Sequence, residues 1–252
     1  MVARTSRASR PRGRHLLRSA RLADLIVGSA GVARGDLVVD VGAGSGMLTR
    51  ALLRAGARVV AVELDERLAG DLQRVGAGVE VVVGDARTFA WPTEPFRVVA
   101  NLPFAHGTEI LRRLLGDPTL PLRSADVLVQ WELACKRCSV WPTTALGVLW
   151  GASYELAVVR RIAPAAFAPP PSVAAALLRA TRREPPLVAP ADAADYETFV
   201  RQSFGPLPLR RALPARAVRR VTEELGLDPT ATGRDLDARG WALLYRSVRR
   251  RG

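Results

Sequence analysis

The sequence predicts an α/β protein, a Rossmann-like and mostly parallel sheet followed by a small helical domain. Three observations predict it. Between residues 36 and 130, short apolar runs of strand length alternate with runs of helical spacing, the pattern of strand–helix–strand units. A glycine-rich turn at residues 40–46 joins the first of those strands to a helix. Residues 191–252 are mostly helical in pattern, with Pro214 and Gly226 as breaks.

The elements follow in order. Leu16, Leu17, Ala20, Leu22, Ala23 and Ile26 fall at helical spacing, which predicts a helix over 15–27. Residues 36–41 read as a buried strand running into the glycine turn, and 47–55 as the helix after it. A second strand over 58–62 ends at Glu63, and a helix over 65–75 follows. A third strand over 79–83 ends at Gly84-Asp85, and a fourth over 96–100 ends at Asn101. A helix over 108–115 leads to a fifth strand over 125–130. Late strands over 154–161 and 173–181 flank the loop 167–172, and the Pro-rich stretch 182–190 reads as a linker. The resulting boundaries are a basic arm over 1–13, the main α/β domain over 14–183 and the helical domain over 184–252.

The chain has 252 residues, 48% of them hydrophobic, and a formal charge of +13. Lys136 is its only lysine. Arginine binds phosphate with a planar fork and stacks on bases, so a nucleic-acid partner is the leading inference. A GC-rich genome explains arginine over lysine but not the excess of positive charge. No apolar run reaches the length of a membrane span, and no secretory apolar core is present, so a cytoplasmic protein with no membrane partner is expected. Cys135 and Cys138 form a single C-x-x-C without a second pair or a nearby histidine, so no metal site is expected. They are placed on a helix with Lys136 and Arg137, as small apolar residues in a reducing compartment.

The polar candidates lie just beyond the carboxyl ends of strands, where open α/β sheets bind ligands. The turn Asp40-Val41-Gly42-Ala43-Gly44-Ser45-Gly46 has G-x-G-x-G spacing, with neither the dinucleotide fingerprint nor the Gly-Lys-Ser/Thr of a phosphate loop. Glu63, at the tip of the second strand, can accept both hydroxyls of a ribose, and Asp85 with Ala86 behind it can take an adenine amino group. Each has a plainer explanation: a tight structural turn, an exposed charge, and a helix N-cap. Three in register at strand ends point to a nucleoside cofactor.

The glycine loop, Val62-Glu63-Leu64-Asp65, Gly84-Asp85-Ala86-Arg87 and Asn101-Leu102-Pro103-Phe104 together resemble the motifs of S-adenosylmethionine-dependent rRNA adenine N6-methyltransferases. The resemblance is strongest to the Erm family, which confers macrolide–lincosamide–streptogramin B resistance. Gln130-Trp131-Glu132-Leu133-Ala134-Cys135-Lys136-Arg137 and Phe167-Ala168-Pro169-Pro170-Pro171-Ser172-Val173 extend it, so that it covers residues 14 to about 183. By that resemblance, Gly42, Ala43, Gly44 and Gly46 hold the methionine end of S-adenosyl-L-methionine. Glu63, with Leu64 beside it, holds the ribose, and Asp85 and Ala86 hold the adenine. The family's N-terminal motif usually reads Gln-Asn/His-Phe, whereas this chain has Arg14-His15-Leu16 followed by Leu17. His15 and Leu17 are expected to contribute to the cofactor site, partly through backbone groups; for His15 the plainer explanation is a helix start.

The resemblance also implies a mechanism, in which positioning does most of the work. The Asn101 side-chain oxygen and the Leu102 carbonyl accept the hydrogens of the target amine. Pro103 fixes the turn. Phe104 stacks on a base extruded from its helix, and Phe167 is a second aromatic wall; core packing and a plug beneath a proline turn are the plainer roles of these two rings. No titrating general base is needed. The expected substrate is the macrolide-site adenine of 23S rRNA, met before or during large-subunit assembly by a monomeric enzyme. A small-subunit rRNA adenine dimethyltransferase, or a non-catalytic RNA-binding protein on the same fold, are the alternatives. Arginines at 4, 7, 10, 12, 14 and 18, at 210, 211, 216, 219 and 220, and at 246 and 249–251 are the candidate phosphate contacts.

Overall fold

A computed structural model describes residues 15–138 and 143–249. The basic arm, Arg14, Arg250 and Arg251 therefore lie outside the described residues. Among the described residues, seven strands form one sheet: β2 (Leu37–Val41), β3 (Arg58–Glu63), β4 (Val79–Val83), β5 (Phe96–Asn101), β6 (Leu122–Gln130), β7 (Tyr154–Ile162) and β9 (Ala175–Arg182). Their order is β4-β3-β2-β5-β6-β9-β7, with β2 to β6 parallel and β9 antiparallel between β6 and β7. A separate two-stranded ribbon pairs β1 (Leu16–Leu17) with β8 (Phe167–Ala168).

The central strands β2, β5 and β6 are apolar on both faces because helices cover both. Val38, Val99, Leu128 and Leu177 point to one face, where they pack with Ala23, Ile26 and Val27 of α1 (Ala20–Ser29) and Leu48, Ala51 and Leu52 of α2 (Met47–Arg54). Their neighbours Val39, Val98, Val127 and Leu178 point to the other. There they meet Ile110, Leu111 and Leu114 of α4 (Gly107–Leu115), Ala134 of α5 (Trp131–Cys138) and Trp150 of α6 (Ala145–Ser153). This period-two division of one apolar run is what a doubly covered strand requires. α3 (Glu66–Gln73) packs beside β4 and starts on Asp65, whose carboxylate accepts the Arg67 and Leu68 N–H groups.

A third apolar cluster joins α6 to α7 (Ala193–Ser203), α8 (Ala215–Leu225) and α9 (Ala238–Arg249) through Val148, Ala152, Tyr196, Val221 and Trp241. α8 starts after Pro214 and ends at Gly226, which takes the left-handed conformation. The stretch read as a linker is tied down, since Arg183 and Leu187 donate backbone bonds to Ser153 and Ala152.

One expectation needs correction, and one helix carried no expectation. The helix expected from residue 15 starts at Ala20, with the Ser19 hydroxyl capping it through the Leu22 N–H, and Leu16–Leu17 is strand instead. The β1–β8 pairing outweighs the helical spacing of two leucines. Residues 145–153, assigned to no element from sequence, form α6. No helix among the described residues is long and apolar enough to cross a membrane.

Candidate active site at the carboxyl edge of the sheet

The tips of β2, β3, β4 and β5 carry the expected motifs side by side, and one cavity brings them together. Its walls include His15, Gly42, Gly44, Glu63, Leu64, Asp85, Ala86, Asn101, Leu102 and Pro103.

Three glycines shape the first wall. Gly42, Gly44 and Gly46 all have positive φ, at 71°, 58° and 74°, which side chains resist. A Cβ at Gly44 would stand 2.6 Å from the Leu16 side chain, and one at Gly42 would stand 3.3 Å from the Pro103 ring. The loop therefore touches both the β1 segment and the Asn-Leu-Pro-Phe turn. Gly42 and Ala43 donate their N–H groups to the Val62 carbonyl, and Gly46 donates to Ala43.

Glu63 is 4% exposed and knits this loop to β3. Its Oε2 accepts the Gly44 N–H at 2.8 Å and its Oε1 the Asp65 N–H at 2.9 Å. These two backbone bonds fix the orientation of the carboxylate at the cavity wall. Beneath the loop, Asp40 is almost fully buried and accepts from the Thr49 hydroxyl at 2.7 Å. Burial, with the Glu63 charge nearby, pushes its carboxyl up to about 7.

Asp85 stands in an Asx turn rather than at a helix N-cap. Its oxygens accept the Arg87 backbone N–H at 2.8 Å and the Arg87 guanidinium at 2.6–3.1 Å. Those hydrogen bonds hold the carboxyl below the usual carboxylate range. Arg87 itself lines the cavity. Arg113, on α4, donates to the carbonyls of Ala86 (3.3 Å) and Phe89 (2.9 Å), and so anchors the segment after β4.

Asn101 ends β5. Its Nδ2 donates to the His15 carbonyl at 2.7 Å, while its buried Oδ1 has no hydrogen-bond partner among the described residues. His15 donates through Nδ1 to the Pro169 carbonyl at 2.8 Å, and its ring lies 5.2 Å from that of Phe104. Phe104 is partly buried and meets Phe167 edge-on at 6.0 Å.

Some predicted residues sit elsewhere. Phe167 is fully buried, so it is not a wall of the cavity but a support behind Phe104. Leu17 is buried opposite Phe167, and Leu16 lines the cavity in its place, because successive strand residues face opposite ways. Ala43 and Gly46 shape the loop without lining the cavity. The sequence reading assigned no site role to Leu16, Arg87, Ala105 and His106, which stand in the walls, or to Asp40 and Arg113 behind them. Arg87 was legible, as it follows Gly84-Asp85-Ala86; Arg113 carried no signal beyond its place on a helix. The two thiols, on α5 as expected, are unpaired, and burial pushes Cys138 up to about 11.

This fold with this strand-tip constellation defines a Rossmann-like methyltransferase. The chain belongs to the ribosomal RNA adenine dimethylase family, whose model matches residues 6–210. Mycinamicin-resistance protein MyrB of Micromonospora griseorubida is 40% identical over 222 residues, covering 85% of this chain and 71% of its own length. Ribosomal RNA small subunit methyltransferase A of Sphingopyxis alaskensis is 33% identical over 265 residues, covering 96% and 95%. Among solved structures, the 23S rRNA methyltransferase ErmE superposes with a TM-score of 0.81 at 28% identity, over 93% of this chain and 99% of that one.

Proposed function

We propose that this chain transfers a methyl group from S-adenosyl-L-methionine to the exocyclic nitrogen of one adenine in 23S rRNA, and that this confers resistance to macrolide-type antibiotics. The observation that carries the reading is the Asn101 amide. The His15 carbonyl fixes its nitrogen, which leaves its oxygen, without a partner among the described residues, as the acceptor at the wall of the cavity that Glu63 and Asp85 also line. The likeness to MyrB and ErmE supports 23S rRNA and resistance.

The donor supplies an electrophilic methyl group, and the residues present fit it. Glu63 would hold the ribose hydroxyls, Asp85 and Ala86 the adenine, and the Gly42–Gly44 turn the methionine end. On the substrate side, the Asn101 oxygen and the Leu102 carbonyl would accept the two amine hydrogens. That pulls the nitrogen toward tetrahedral geometry and frees its lone pair for attack. Phe104, braced by Phe167 and His15, would stack on the extruded base. Position and acceptor dipoles do the work, and no side chain has to titrate.

We assign residues 14–183 as the catalytic domain and 184–252 as the helical domain of a cytoplasmic monomer acting on rRNA before or during large-subunit assembly. The second reading, methylation of small-subunit rRNA, is favoured by the near-complete coverage of the Sphingopyxis relative. Primer extension on both rRNAs from cells expressing the gene separates the two: a new stop in 23S rRNA with macrolide resistance supports the proposal, and a stop in 16S rRNA alone overturns it. For the site itself, Asn101→Ala should lower single-turnover methyl transfer by about a hundredfold or more, the scale of one lost transition-state hydrogen bond. S-adenosylmethionine and RNA should still bind. A near-wild-type rate would remove Asn101 from the chemistry.

A further inference from the structure

The cofactor motifs take up only half of the sheet's carboxyl edge. They sit on β2, β3 and β4, and Asn101 on β5 marks where the target adenine would enter. The other half belongs to the tip of β6, the start of β9 and the end of β7. A strand of RNA bearing the extruded adenine has to leave across that half, because the donor would fill the first.

Two side chains meet there. Trp131 directly follows β6, and its backbone N–H donates to the Ala174 carbonyl at 2.9 Å. Arg161 lies opposite Ala176 near the end of β7, and Ala176 is opposite Val129 of β6. The Arg161 guanidinium carbon stands 5.0 Å from the centre of the Trp131 ring. Trp131 is half-buried against the core, whereas Arg161 is exposed. Among the described residues no carboxylate comes within ion-pair distance of Arg161.

A bulge creates this pairing. Along β7, Tyr154, Leu156 and Val158 pack toward the α4–α5–α6 side of the sheet. The register then slips between Val158 and Arg160, so Arg160 faces Leu177 and Ile162 packs on the α1–α2 side. Without the slip, Arg161 would point away from α5. With it, Arg161 shares the face of Ala176 and reaches the tryptophan that opens α5. Bulges at sheet edges re-aim side chains in this way.

A guanidinium held on an indole by cation–π attraction keeps its outer face for a second flat partner. RNA-binding proteins stack unpaired bases on such arginine planes. From β5 to β7 is three strand spacings, roughly 14 Å at about 4.8 Å each, and β6 is only one away. We propose that Trp131 and Arg161 form a stacking platform for a nucleotide that flanks the target adenine. The proposal rests on the rRNA adenine reading of the site.

The test is a thermodynamic cycle on the full chain, with a short 23S rRNA hairpin carrying the target adenine. Hairpin affinity is read by fluorescence anisotropy, and methyl transfer is measured separately. Arg161→Met keeps the stem and removes the plane, and Arg161→Lys keeps the charge without the plane. Both should weaken hairpin binding by at least about fivefold, the low end of one lost base stack, with cofactor affinity and melting temperature unchanged. Making a flanking nucleotide abasic should cost wild type a similar factor and cost Arg161→Met almost nothing further. Lysine behaving like wild type, or penalties that multiply at every flanking position, would overturn the platform. Failure of wild type to methylate the hairpin would instead strike at the parent reading, while the binding cycle would still decide the platform.

Discussion

Glu63 carries two duties at once, and they separate by measurement. Its oxygens close the glycine loop through Gly44 and start α3 through Asp65, and under the proposed function they also accept ribose hydroxyls. Glu63→Ala should therefore weaken S-adenosylmethionine binding by about 1.5–3 kcal/mol for each charge-assisted hydrogen bond removed; calorimetry returning the wild-type affinity would take Glu63 out of the site. Asp40, one layer below, has a different signature. Its carboxyl is raised from 3.8 to about 7 in the folded chain. The folded state thus keeps a proton that the unfolded state loses near pH 4. That stabilising contribution is full below about pH 4, falls as pH rises, and is gone above about pH 7. Asp40→Asn removes the proton but keeps an acceptor for Thr49. The variant should gain on wild type steadily from pH 5 to about pH 7 in melting temperature and level off above that, and a constant difference from pH 5 to pH 7 would show that Asp40 ionises normally.

At the scale of elements, the site is a set of strand tips braced from behind, and α4 supplies one brace. Arg113 links it to the carbonyls of Ala86 and Phe89. Arg113→Met should raise KM for S-adenosylmethionine by several-fold, as expected for about 1 kcal/mol, and leave kcat at saturating cofactor near wild type; Arg113→Lys, which keeps one donor, should recover part of the loss. A drop in melting temperature with an unchanged KM would make Arg113 a packing residue only. The strands at the heart of the site were legible in the sequence because they are buried apolar runs whose tips carry polar residues, as β3 does at Glu63 and β5 at Asn101. α6 was not. It is apolar all round because Trp150 faces the sheet core while Val148 and Ala152 face the helical domain, which erases the amphipathic pattern. The β1–β8 ribbon was hidden for another reason. Two residues carry no period, and the pairing of Leu16 with Ala168 spans most of the catalytic half. That long-range pairing decides which leucine faces the cavity, so the site's N-terminal wall was misread by one residue.

For the whole molecule, the charge of +13 is distributed unevenly in its commitments. Arg249 pairs with Asp192 and bonds the Tyr245 hydroxyl, and Arg246 donates to the Leu187 carbonyl at 2.9 Å, so these two hold α9 to its neighbours. Arg179 is spent on buried Asp126 at 2.6 Å, whose carboxyl burial pushes upward. Around α8 the situation differs. Arg210, Arg211, Arg216 and Arg220 are exposed, and none has an ion pair among the described residues, whereas Arg219 faces Glu223 at 3.8 Å. Unpaired exposed arginines on one small domain are suited to sequence-independent phosphate binding, whose counterion release makes affinity salt-dependent. Changing those four to glutamine leaves the buried face of α8, with Ala217, Val218 and Val221, untouched, so melting temperature should hold. The slope of log affinity for rRNA against log salt should become shallower by about 0.7–0.9 for each phosphate that is no longer neutralised. Cofactor affinity should not change, since none of the four lines the strand-tip cavity. A slope identical to wild type would mean that these arginines are solvated charge, and that the RNA is held by the catalytic half alone.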